Sequence, residues 1–111
     1  MTKRQGSSTW IIRSRNRVPV RLTEERWQHI VYRHPEMAHE RERVLRTVAE
    51  PDMIQEGDFG ELLAIRFYPD TLLARKFMVV AYREIGLEDG FVVTAYLARR
   101  PSARRVMIWK Q

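Results

Sequence analysis

Three histidines, at positions 29, 34 and 39 of a 111-residue chain, are the side chains with an unperturbed titration near neutral pH. Steps of five residues turn successive rings away from one helix face, whereas metal-binding pairs on a helix sit three or four apart. The chain has no cysteine, so thiolate zinc sites, disulfides and cysteine nucleophiles are all excluded. Proton transfer is therefore the chemistry these rings suggest. His34 shares the i, i+3, i+4, i+7 stripe of Trp27, Ile30 and Val31, which places it at the end of a helix, facing inward. It either packs there as a structural residue or stands at a sheet edge as a general acid or base. His29 falls on the outer face of the same helix.

Two further groups attract attention. Thr94 interrupts the apolar run Phe91-Val92-Val93-Thr94-Ala95-Tyr96-Leu97 with a hydroxyl, which either bonds across a strand pair or is offered to a phosphate. The segment Arg99-Arg100-Pro101-Ser102-Ala103-Arg104-Arg105 is either a solvated hairpin tip or a clamp on a phosphate backbone. No Gly-rich phosphate loop, nucleophile elbow or obvious pair of catalytic carboxylates is present.

The net charge of +6 is concentrated at the ends. Residues 1–22 hold six basic and no acidic side chains, and residues 97–111 hold five and none. The segment 23–96 has nine basic against fourteen acidic. If the ends meet, they form one basic surface suited to a polyanion such as nucleic acid. Against this, 17 of the 20 basic residues are Arg, a bias that a proteome-wide composition would also produce. No apolar run approaches the roughly 20 residues of a membrane helix. No signal-peptide core follows the basic start, so no membrane association and a cytoplasmic location are expected.

Residues 1–8 read as a flexible tail and 9–111 as one domain. Trp10-Ile11-Ile12 and Val18-Pro19-Val20 read as a hairpin or edge strand, since proline excludes a central one. Thr23 caps a helix over 24–34, with Glu24 and Glu25 in its first turn and Leu22 and Trp27 at staple spacing. A second helix fits 36–49. After Pro51 the period becomes two, with strands expected at 52–56, 61–68, 76–83, 90–97 and 105–110. The links are short, which predicts an antiparallel meander and an α+β fold, with the N-terminal helices packed on one face of a four- to five-stranded sheet.

Alternation assigns Leu63, Ile65, Phe67, Phe77, Val79, Ala81, Phe91, Val93, Ala95 and Leu97 to the helix-covered face. The other face then collects Arg66, Lys76, Tyr82, Thr94 and Tyr96, a concave surface of cations and hydroxyls.

Taken in order, several stretches resemble one family. They are Glu25-Arg26-Trp27-Gln28-His29-Ile30, Arg33-His34-Pro35-Glu36, Glu50-Pro51-Asp52, Phe77-Met78-Val79-Val80-Ala81-Tyr82, Val92-Val93-Thr94-Ala95-Tyr96 and Val106-Met107-Ile108-Trp109. Their order and spacing over residues 20–110 are similar to the phage-type branch of the barnase–EndoU–colicin–RelE-like nucleases. The resemblance implies an endoribonuclease without metal or cofactor, of toxin–antitoxin or other mobile-element type. Its partners would be RNA and an antitoxin or immunity protein. It implies catalytic roles for His34 (with His29 as the alternative), Arg66, Lys76, Thr94 and Tyr96. Arg99, Arg100, Arg104, Arg105 and Tyr82 would bind the nucleic acid. A second expectation is a non-catalytic nucleic-acid-binding or regulatory module on the same fold.

Overall fold

The computed structural model describes residues 8–71 and 74–111; the expected tail lies almost wholly outside them. Seven strands and two helices follow one another as β1 (Thr9–Arg13), β2 (Pro19–Thr23), α1 (Glu24–Arg33), α2 (Arg41–Ala49), β3 (Met53–Glu56), β4 (Leu62–Phe67), β5 (Phe77–Ile85), β6 (Asp89–Ala98) and β7 (Met107–Lys110). A 3-10 turn, Pro35–Met37, links the helices. The class is α+β, and no helix is long and apolar enough to cross a membrane.

Local chemistry accounts for α1. The Thr23 hydroxyl accepts a 3.0 Å bond from the Arg26 amide, two glutamates lie in the first turn, and Leu22 and Trp27 are both buried. The second helix starts later than its periodicity predicts. Proline at 35 opens a 3-10 turn, and α2 proper begins at Arg41. Met37, Val44 and Val48 are nonetheless all fully buried, as their spacing requires.

The sheet departs from a simple meander at both ends. Its order is β1-β2-β6-β5-β4-β3-β7. β3 to β6 form one continuous antiparallel meander. Instead of returning beside β6, β7 crosses to pair with β3. The β1–β2 hairpin joins the opposite side through a parallel contact between Arg21 and Phe91. The expected four or five antiparallel strands are thus seven in a mixed sheet. Pro19 does not confine β2 to the edge, because it occupies the strand's first residue, before the contact with β6 begins.

The expected face assignment fails for β4 and β5. The larger core joins Trp27, Ile30, Met37, Val44 and Val48 to Ala64, Met78, Val80, Tyr82, Val92, Ala95 and Leu97. Leu63, Ile65, Val79 and Ala81 form a second cluster on the opposite face, with Met53, Phe77, Val93, Tyr96 and Ala98 against it. Ala95 and Leu97 lie on the helix side as expected, but Leu63, Ile65, Phe67, Phe77, Val79, Ala81, Phe91 and Val93 do not. A register shift explains the mixture within β6. Ala81 faces Thr94 while Tyr82 faces Val92, so Val93 is an extra residue that reverses the alternation.

Both faces of the central strands are covered. After β6, residues 99–106 run across the second face to reach β7. Gln55, 2% exposed, donates a 2.8 Å bond to the Ser102 carbonyl, and Glu56 N bonds Val106 O at 2.9 Å. The basic loop is thereby fastened over the sheet.

Candidate functional site

Tyr96 is where the chemistry converges. It projects from β6 on the loop-covered face, directly opposite Val79. His34, the C-cap of α1, brings its imidazole to 5.8 Å from the Tyr96 ring, tilted by 34°. The Glu36 carboxylate stands 3.8 Å from His34 Nδ1. That is too long for a hydrogen bond, but it places a negative charge on that side of the ring. No described residue hydrogen-bonds the other nitrogen, Nε2.

Tyr96 also lines a cavity of about 240 Å³ with Gln55, Ala98, Arg100, Ser102 and Arg105. Arg105 is fixed by a 2.8 Å bond to Asp58, which holds its guanidinium pKa above the usual value; Tyr96 adds a smaller effect in the same direction. Arg100 is exposed. Thr94 precedes Tyr96 by one pleat repeat, about 7 Å along the strand, on the same face and opposite Ala81. Phenol, aliphatic hydroxyl and two guanidiniums therefore share one side of the sheet, and the imidazole at the end of α1 stands beside the phenol.

Other expected members are elsewhere. Arg66 lies opposite Met78, on the helix side, and donates to the Glu50 carbonyl at 2.5 Å. Arg66 and Thr94 thus occupy opposite faces and cannot grip one phosphate together, which overturns the single concave surface expected from alternation. Tyr82 is fully buried in the larger core. The Lys76 ammonium donates to the Thr71 carbonyl ahead of β5. His29 is exposed beside Thr23, Glu25 and Arg26, apart from the His34–Tyr96 pair. Arg99 and Arg104 are exposed on the loop. Among the described residues no group of three His, Cys, Asp or Glu side chains could hold a metal.

Sequence reasoning missed Glu36 and Gln55. Glu36 follows His34-Pro35 directly, so its nearness was available from the sequence. Gln55 carries a weaker signal, a polar residue between Ile54 and a turn.

A larger hollow of about 390 Å³ lies on the far side of Arg105. Glu56 and Asp58 line it together with Arg104 and Arg105, so it presents charges of both signs. The cavity that holds Tyr96 has two arginines and no carboxylate in its lining. No family model matches the sequence, and neither a curated protein nor a solved structure matches it.

Proposed function

We propose that the protein is a metal-independent endoribonuclease acting at the His34–Tyr96 face. The observation that carries this reading is the imidazole 5.8 Å from a phenol that also lines a cavity with two arginines. Cleavage of RNA by its own 2′-hydroxyl needs a base for that hydroxyl, an acid for the leaving 5′-oxygen, and cations around the five-coordinate phosphorus. His34 takes the first proton through Nε2. The Tyr96 phenol donates to the leaving oxygen. Arg100 and Arg105 balance the charge that grows on the phosphoryl oxygens, and Thr94 positions the phosphate. The family resemblance supports the same reading through His34, Thr94 and Tyr96, and with it a toxin-like role. Arg66, Lys76 and Tyr82 have no part in it.

One observation favours a second reading, binding without cleavage. His34 is the only imidazole at this face among the described residues, so a classical pair of histidines is not assembled. The test uses labelled single-stranded RNA and the matching DNA, both in excess EDTA. Fragments ending in 2′,3′-cyclic phosphate, uncut DNA, and at least about tenfold loss in His34→Ala and Thr94→Ala are expected. RNA that is bound but stays intact across several sequences and pH values would establish the binding module instead.

A further inference from the structure

Phe67 and Phe77 are paired across β4 and β5 on the same face as Tyr96, with ring centres 5.2 Å apart. Phe67 is 47% exposed, although its neighbours on that face, Ile65 and Val79, are 1% and 4% exposed. Phe77 is half-buried against the second cluster, and Phe67 lies beyond it at the end of β4. Phe77 faces Ala98 on β6, a side chain too small to cover a ring. The exposed cations Arg99 and Arg100 follow Ala98 immediately. Tyr96 is one step diagonally from Phe77 across the β5–β6 ladder, within reach of a shared ligand.

An exposed ring on a half-buried one, beside guanidiniums and in line with the cavity that Arg100 and Arg105 line, matches an extended single strand. The rings offer π-faces to bases while the cations follow the backbone. A base inside a duplex is stacked on both sides and cannot lie on such a ring. We propose that Phe67 and Phe77 form a base-stacking subsite for one unpaired nucleotide flanking the Tyr96 position, so that the substrate is single-stranded RNA. This inference rests on the ribonuclease reading for its ligand. A protein partner would use the same apolar area differently, without regard to bases.

The experiment measures binding of fluorescent 12-nucleotide RNAs, 2′-O-methylated at every position so that no 2′-hydroxyl can attack, in the His34→Ala protein. Phe67→Ala and the milder Phe67→Leu should each weaken binding, the former by at least about fivefold. The salt dependence should stay unchanged, because stacking releases no counterions. A set of oligonucleotides with one abasic position each should contain one for which the Phe67→Ala loss disappears. A duplex of the same sequence should bind equally to parent and variant. Parent protein that binds no RNA overturns the ribonuclease reading and this subsite together. Parent that binds RNA, with Phe67 variants equally tight or with the same loss at every abasic position, overturns the subsite alone. Loss of self-association or of protein binding, with RNA affinity intact, does so too.

Discussion

The guanidinium carbon of Arg15 lies 3.9 Å from the centre of the Trp109 ring, so the turn between the first two strands touches the last strand. β1 and β7 are the outermost of seven strands, and a flat sheet would separate them by roughly 29 Å at about 4.8 Å per strand. The contact requires the turn to fold over the sheet. Ser14 and Asn16 show how, because both donate to the Glu84 carboxylate on β5. Among the described residues, the basic turn at Arg15 thus meets the C-terminal strand. A double-mutant cycle with Arg15→Ala and Trp109→Ala should give a coupling of about 0.5–2 kcal/mol in unfolding free energy. Strict additivity would mean that the stacking contributes nothing to stability.

Tyr82 should tolerate loss of its hydroxyl. The side chain is fully buried, and its Oη has no hydrogen-bond partner among the described residues. Burial pushes the phenol pKa up, and the Glu84 charge adds to this. A pKa raised in the folded state means that the stability linked to this proton is complete below the unfolded value of about 10 and declines above it. Tyr82→Phe should leave stability at pH 7 unchanged or raise it by about 1 kcal/mol. It should also lose less stability than the parent between about pH 10 and 11. Urea midpoints at both pH values decide this, and RNA affinity should not change.

Much of the frame was legible because punctuation and capping are local. Thr23, the Leu22–Trp27 staple, Pro51 and the turn residues place most elements within a residue or two. The faces were not, for a physical reason. Leu62–Phe67 and Phe77–Tyr82 are apolar on both sides, since one side meets helices and the other meets a loop that carries no hydrophobic pattern. Alternation then says which residues share a side but not which side is which. The extra residue at Val93 breaks even that rule within β6. Thr94 and Tyr96 were placed opposite the helices correctly, whereas Arg66 followed the wrong assumption about β4. The long crossing to β7 depends on contacts remote in sequence, such as Gln55 with Ser102, that no local pattern encodes.

Gly90 is required by backbone proximity. A Cβ built there would lie 2.5 Å from the Arg83 carbonyl oxygen and 3.2 Å from that of Pro19. Both obstacles are main chain and belong to strands on either side of β6. Gly90→Ala should therefore cost about 1–3 kcal/mol. An unchanged thermal midpoint would show that the β2–β6 junction yields easily.

The arginine loop should control the ionic part of RNA affinity. If about five phosphates are neutralised, log affinity should fall with log salt at a slope near −3.5. Arg100 is exposed and lines the Tyr96 cavity, so Arg100→Ala should flatten that slope by about 0.7. Arg66→Ala, on the opposite face, should not alter it. Binding insensitive to salt would mean that the arginine content is compositional.

Tyr96 separates the chemical from the packing role of its ring. If the phenol protonates the leaving oxygen, Tyr96→Phe keeps the contact with His34 and the cavity wall but removes the proton. Cleavage under saturating RNA should then fall by at least about tenfold, within the usual range for general acid catalysis, while affinity stays within about twofold. Tyr96→Ala removes the ring as well, and it should weaken binding in addition. An RNA with a leaving group that needs no proton, a 5′-bridging phosphorothiolate, should restore most of the rate to Tyr96→Phe. It should not rescue His34→Ala, whose loss lies in activating the 2′-hydroxyl. Rescue of His34→Ala alone would reverse the two assignments, and equal rescue of both would mean that both side chains act on the leaving oxygen. A Tyr96→Phe protein as active as the parent would reduce Tyr96 to a support for the imidazole and require another donor on this face.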